Sequence, residues 1–220
     1  MNILLVAATK LELKNVTSFF HFKEESSSFS TEGINVEILF TGVGMVATAF
    51  ALGQKLANNK YDLAINAGIA GSFKSEYNLG DVVWVKEDIF ADLGAENDSQ
   101  FLSIDDLGLG QAATLPNIDK ENKLIAKWLD SLKPVNAITV NKVSGNFKNI
   151  QKTIHRLNPD IETMEGAAFY YACQQSQTPC VQVRGISNFI EKRNVDNWDV
   201  RTAVSGLNAS LIRFFKSFGK

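Results

Sequence analysis

Three stretches of the 220-residue chain set polar side chains of catalytic type beside an apolar lead-in. In "VRGISNFIEKRN", Arg184, Ser187 and Asn188 close a very apolar run that begins at Cys180. An arginine, a hydroxyl and an amide at a strand end are a common means of fixing a polar ligand. In "ETMEGAAFYY", Glu165 opens a helix, where the positive end of the helix dipole favours an ionised carboxylate. In "ATKLEL", Glu12 follows the first apolar run by a short step. Plainer readings stay open for each residue taken alone. Glu12 reads as a solvated carboxylate in a charged helix start, because carboxylates are mostly exposed. Glu165 reads equally as a helix-start charge, Phe147 as a core aromatic and Met164 as core.

The glycines pose a separate question. In "FTGVGMVATAF", Gly42, Gly44 and Ala47 spell G-x-G-x-x-A after an apolar run, the outline of a dinucleotide-binding turn. Such a turn normally follows the first strand, with an acidic residue ending the next strand to hold a ribose. Here the glycines follow the second strand, and Asp62 precedes the apolar run 63–66 instead of ending it. Close packing of strand on helix is the better reading, and no cofactor is expected. "NAGIAGSF" (66–73) reads as a second glycine-rich turn after a strand. Two strand ends then open into glycine-lined space, where open α/β sheets bind ligands.

Composition narrows the classes. With 45% hydrophobic and 21% charged residues, the chain is ordinary for a soluble globular protein. A formal net charge of −2 and the lack of a long Lys/Arg run argue against a nucleic-acid binder. Cys173 and Cys180 lack CxxC spacing and read as buried free thiols in a reducing cytoplasm. His21 and His155 are the only histidines, too few for a histidine metal centre and a poor basis for a Ser-His-Asp triad. The first apolar run is too short to span a membrane and lacks the marks of a signal peptide, so a cytoplasmic protein is expected.

The elements that must position these residues alternate between short Ile/Val/Leu runs and helical stretches, the pattern of an α/β fold. Strands are expected at 3–7, 36–40, 63–66, 82–86, 137–142 and 180–186, and helices at 11–20, 43–57, 118–132, 166–175 and about 198–218. Leu124, Ile125, Trp128, Leu129 and Leu132 fall at spacings of three and four, as do Val204, Leu207, Leu211, Phe214, Phe215 and Phe218. Each set marks one buried helix face. The segment 87–117 is the least regular and is expected to hold a loop over the site or a partner contact. One domain, 1–220, fits this layout.

Taken in order, "ILLVAATKLEL", "TGVGMVATAFAL", "YDLAINAGIAGSF", "LGDVVWV", "VSGNF", "IETMEGAA" and "VRGISN" make the chain resemble the nucleoside phosphorylase and nucleosidase superfamily over nearly its whole length. The pairing of "TMEGAA" with a downstream "VRGIS" is the specific part. Within the superfamily the chain is most similar to the hydrolytic branch, and there to the futalosine hydrolases, through "LLVAAT", "DLGAE" and "ISNFIEKRN". The resemblance implies a three-layer αβα sandwich around a central mixed, mostly parallel sheet. It also implies a homo-oligomer, and hydrolysis of a purine nucleoside that releases hypoxanthine from futalosine in menaquinone synthesis.

It further implies roles for individual residues. Glu12 takes the place of the carboxylate that activates water, with Arg184 beside it. Glu165 matches the residue that grips the ribose hydroxyls, Met164 the one packed on the sugar, and Phe147 the aromatic stacked on the purine. Ser187 belongs to the binding stretch. Asn188 stands where methylthioadenosine nucleosidases keep the aspartate that protonates adenine. Hypoxanthine offers acceptors at O6 and N7, to which an amide NH2 donates, so a 6-oxopurine is expected. Phosphorolysis needs positive charge for phosphate, usually arginine. Neither "AATKLEL" nor "NAGIAGSF" contains one, and Lys10 is a weak substitute. Ile69 replaces a family serine near the water. Lys192 and Arg193 are candidates to meet the carboxylate of futalosine.

Overall fold

The computed structural model describes residues 1–98, 100–118 and 121–219. Eleven strands appear among them: β1 (Asn2–Ala7), β2 (Ser28–Thr31), β3 (Ile34–Phe40), β4 (Leu63–Ser72), β5 (Val82–Phe90), β6 (Gly94–Asn97), β7 (Gln100–Ser103), β8 (Ala113–Thr114), β9 (Lys133–Thr139), β10 (Ile161–Thr163) and β11 (Cys180–Phe189). The helices are α1 (Lys14–Phe19), α2 (Met45–Asn58), α3 (Lys123–Asp130), α4 (Phe147–Leu157), α5 (Gly166–Gln175) and α6 (Val200–Lys216).

The alternation within β1 sets the layers. Ile3, Leu5 and Ala7 face one apolar cluster with Leu13, Trp128, Leu207 and Phe214, whereas Leu4 and Val6 face another with Leu52, Phe169 and Tyr170. One side of the sheet is therefore covered by α1, α3 and α6 and the other by α2 and α5. Burial on both faces explains why β1, β4 and β11 read as continuous apolar runs. The sheet is mixed and mostly parallel, in the order β10-β9-β5-β11-β4-β1-β3-β2, with β8 on β5. β10 runs parallel to β9 and also pairs antiparallel with β4. The strands β4, β11, β5, β9 and β10 thus close on themselves.

The expected α/β sandwich and its principal elements are present, with instructive shifts. α6 buries Val204, Leu207, Leu211, Phe214 and Phe215, leaving Arg213 and Lys216 exposed, as its spacing predicts. The helix expected over 118–132 is confined to α3, capped by the Asn122 side chain; positions 119 and 120 of that stretch lie outside the described residues. Trp128 of α3 stacks on Phe214 at 4.1 Å. The helix expected at 11–20 divides into a 3-10 turn, Lys10–Leu13, and the short α1. "NAGIAGSF" is not a turn. Residues through Ser72 continue β4, because their neighbours in β11 supply partners as far as Phe189. The strand expected at 137–142 is β9, four residues earlier at its start. The irregular segment 87–117 holds the end of β5, the β6–β7 hairpin and β8.

Candidate functional site

The site collects at the carboxyl ends of β1, β3, β4, β10 and β11. Glu12 comes from the 3-10 turn after β1. Contrary to the solvated reading, it is only 7% exposed. Its Oε2 accepts from the backbone N–H of Thr9 at 2.8 Å and from the Thr9 hydroxyl at 3.2 Å. Its Oε1 accepts from the Ile69 N–H at 3.3 Å. Burial pushes the Glu12 carboxyl above the ordinary carboxylate range. The Thr9 N–H, the Arg184 charge and the Ile69 N–H oppose that rise, and the Glu165 charge adds to it. The backbone of position 69 thus supplies a contact whatever its side chain, which softens the loss of the family serine.

Arg184 projects from β11 onto the α2/α5 side and is 1% exposed. Its Nε and Nη2 donate to Gln182 Oε1 at 3.2 and 3.1 Å, and Nη2 also donates to Asn66 Oδ1. A Cβ on Gly68 would sit 2.2 Å from Arg184 Nη1 and 2.8 Å from Glu12 Oε1. The missing side chain at Gly68 therefore lets guanidinium and carboxylate border one point without a direct ion pair. That is the arrangement needed to hold a polar molecule between them.

Glu165 caps α5, and its Oε1 accepts from the Gly44 N–H at 2.9 Å. Gly44 has φ +98°, a region L side chains rarely adopt, so glycine is required there for its backbone and not for space. Oε2 has no bond to Gly44. Met164 and Ile69 are the only residues of 161–170 and of β4, respectively, that escape full burial, which turns both toward open space.

Asn188 owes its aim to a bulge. Ile186 pairs with Ala70 but Asn188 with Gly71, so Ser187 is an extra residue in β11. Ser187 is itself enclosed. Its hydroxyl lies 3.2 Å from the Ala70 carbonyl and 2.8 Å from Asn188 Oδ1, which makes it a support for Asn188. Asn188 Nδ2 faces the Phe189 carbonyl at 3.1 Å. A carbonyl only accepts, so the amide nitrogen must lie on that side, with its second hydrogen free to donate.

Phe147 does not follow the core reading. It is the first residue of α4 and 71% exposed. Its loop is tied to the site because the Ser144 N–H and hydroxyl donate to the buried Glu162 of β10 at 2.8 and 2.6 Å. Arg193 packs its Cβ beside Gly145 and lines a cleft of about 730 Å³ with Lys142, Lys152 and Arg156. Lys192 is exposed and is not among the residues lining that cleft.

A buried polar group underlies the site. Asp88, fully enclosed in β5, accepts from Thr139 Oγ1 and Gln182 Nε2, both at 2.8 Å. Burial pushes its carboxyl up to about 7, against the pull of these two bonds and of Arg184. Asp88, Gln182, Asn66 and Gly68 were not singled out by their sequence, because each is one residue within an apolar or glycine-rich strand.

The phosphorylase superfamily profile matches residues 2–216. The chain belongs to the phosphorylase superfamily. It is 29% identical to futalosine hydrolase of Thermus thermophilus over 86% of this chain and 84% of that protein. It is 30% identical to a 5'-methylthioadenosine/S-adenosylhomocysteine nucleosidase of Bacillus velezensis, over 80% and 77% of the two chains. Among solved structures, the nucleosidase of the same name from Helicobacter pylori, crystallised with butyl-thio-DADMe-Immucillin-A, superposes with a TM-score of 0.83. That match covers 99% of this chain and 98% of the other at 14% identity, a likeness of fold. Among the described residues no helix is long and apolar enough to cross a membrane.

Proposed function

We propose that this superfamily member is an N-glycosyl hydrolase that cleaves futalosine to dehypoxanthine futalosine and hypoxanthine, in menaquinone biosynthesis. The observation that carries the choice of base is the orientation of Asn188. Its Oδ1 is engaged by Ser187 and its Nδ2 donates one hydrogen to the Phe189 carbonyl, which leaves the second amide hydrogen to donate to a base. O6 and N7 of hypoxanthine both accept.

The geometry supports the following chemistry. Departure of the purine leaves an oxocarbenium-like ribose, as in glycoside hydrolysis. The C1'–N9 electron pair goes to the base, where Asn188 stabilises it by hydrogen bonding, and solvent supplies the proton that an amide cannot. Glu165 keeps its free oxygen for the ribose hydroxyls, and Met164 packs against the sugar. A water between Glu12 and Arg184 attacks C1' and yields its proton to Glu12. Phe147 covers the base from the rim. We assign the anionic substituent of futalosine to Arg193 of the Lys192/Arg193 pair, because Arg193 borders the cleft that Lys142, Lys152 and Arg156 also line; its replacement by alanine should raise KM for futalosine.

The same reading makes the enzyme cytoplasmic, a single domain and a homo-oligomer. Exposed Val43, Val46 and Phe50, at spacings of three and four around the start of α2, support self-association. The deciding experiment mixes purified protein with futalosine, inosine and methylthioadenosine, with and without phosphate. Phosphate-independent hypoxanthine release from futalosine is the expected result. Adenine from methylthioadenosine would assign it to the other nucleosidases, and a phosphate requirement would make it a phosphorylase. No release from any of the three would indicate a binding protein.

A further inference from the structure

Asp88 is a buried carboxyl that the mechanism leaves unused. Groups face it from every neighbouring element. From β11 come Gln182 and the cation Arg184; from β9 comes Thr139. β8 contributes the Thr114 hydroxyl, which donates to the Asp88 main-chain carbonyl, and α5 contributes Tyr170, whose hydroxyl is held by Val85 and Gln182. Every buried side-chain polar atom among the described residues has a partner.

The direction of each bond is fixed by chemistry. The Gly166 N–H donates to Thr163 Oγ1 at 3.2 Å and the Ala167 N–H to Thr139 Oγ1 at 2.8 Å. Thr139 gives its single hydroxyl hydrogen to Asp88, so Thr163 must donate across the 3.0 Å contact between the two threonines. On the other arm, Gln182 turns its nitrogen to Asp88 and therefore its oxygen to Arg184. Both arms end on an acceptor-only carboxylate. A Cβ on Gly166 would lie 2.1 Å from Asp88 Oδ2 and 2.4 Å from Gln182 Oε1, so the first turn of α5 is seated directly on this junction.

We propose that Asp88 is a positioning residue of the hydrolytic site: through Gln182 it sets the rotation of the Arg184 guanidinium beside Glu12, and through Thr139 and Thr163 it sets the turn that carries Glu165. The role rests on the nucleosidase reading above. It couples the side of the site that handles water to the side that handles ribose, although Asp88 touches neither ligand.

The test uses Asp88→Asn and the double variant Asp88→Asn/Gln182→Glu. An amide at 88 sets an NH2 against Gln182 Nε2. Gln182 must then turn, presenting its nitrogen to a guanidinium that can only donate. In the single variant kcat should fall about 100-fold with KM little changed, the scale of a misplacement near 1 Å. In the double variant a carboxylate at 182 accepts from both neighbours at unchanged net charge, and most of the lost kcat should return. Wild-type kcat should also rise with pH through a limb near 7, where Asp88 ionises, and the double variant should lack that limb. Solvent exchange of the Arg184 Nε–H, followed by NMR, should be slow in wild type, fast in the single variant and slow again in the double. A single variant with wild-type kcat and exchange, or a double variant no better than the single, would overturn the proposal. If wild-type protein released no base from any nucleoside, the nucleosidase reading would fail, and the exchange rates alone would decide whether Asp88 positions Arg184.

Discussion

The Gly44 backbone N–H donates to Glu165 Oε1 at 2.9 Å, joining residues 121 apart in sequence. The glycines that resemble a dinucleotide turn thus hold a carboxylate of the protein itself. With Oε1 occupied, Glu165 is fixed in rotation and offers one defined oxygen to a ligand.

Gly44→Ala tests this hold. A Cβ there would meet nothing within 4 Å, but φ +98° is strained for alanine by roughly 1–3 kcal/mol. The backbone should relax and withdraw its N–H from Glu165. About tenfold loss in kcat/KM is expected from a shift of that energy, with an unchanged far-ultraviolet circular dichroism spectrum.

In the proposed mechanism, Glu12→Gln removes the base that takes the water's proton. Turnover should fall by about 10²–10⁴ with KM nearly constant. In that mechanism the ionised form is the active one, and burial raises its pKa. Wild-type activity should therefore fail on acidification at a pH above the usual carboxylate range. Initial rates across pH in the Asp88→Asn/Gln182→Glu background, which lacks the limb near 7, check the sign, and an acid limb there at or below 4.5 would contradict it.

Asn188→Asp replaces an obligate donor with a group that can carry a proton to N7. The ratio of kcat/KM for futalosine over methylthioadenosine should drop by about 10² or more, the scale on which mismatched buried polar edges discriminate. Parallel assays of hypoxanthine and adenine release measure it. An unchanged ratio would remove Asn188 from base selection.

Asp88 links stability to pH in the opposite sense from an ordinary ion-paired carboxylate. Its folded-state value of about 7 lies above the ordinary 3.8. Between these values the folded chain keeps a proton that the unfolded chain has lost. Its stabilising contribution is full below about pH 4, shrinks as pH rises and is gone above about pH 7. Asn at 88 does not titrate. The Tm of Asp88→Asn relative to wild type should therefore improve from about pH 5 to about pH 8, as read by thermal melts at both values.

Residues in the stretch where an apolar run turns polar were more legible in sequence than single polar residues deep in an apolar strand. Arg184 and Asn188 fall where the apolar run from Cys180 gives way to polar side chains, which need a reason there, and both lie at the candidate site. Asp88 and Gln182 sit inside β5 and β11, and their partners come from strands 51 and 94 residues away, so no local pattern marks them. α4 is harder to read: Phe147, Ile150, Ile154 and Leu157 make a stripe only one residue wide among polar neighbours, and of its eleven residues only Ile150 is buried. The Leu63–Ser72 strand was shortened for a different reason. Its glycines suggested a turn, whereas Gly68 and Gly71 make room for Glu12, Arg184 and Asn188.

The extra residue at Ser187 divides β11 into two segments with independent registers. Upstream, Arg184 is clamped opposite Gly68; downstream, Asn188 and Phe189 are counted afresh against Gly71 and Ser72. The strand behaves like a shaft with a clutch. Under the proposed roles, a library confined to positions 188 and 189 should change which base is accepted without disturbing the water-handling half. Deleting residue 187 would engage the two halves in one register and alter base choice and catalysis together.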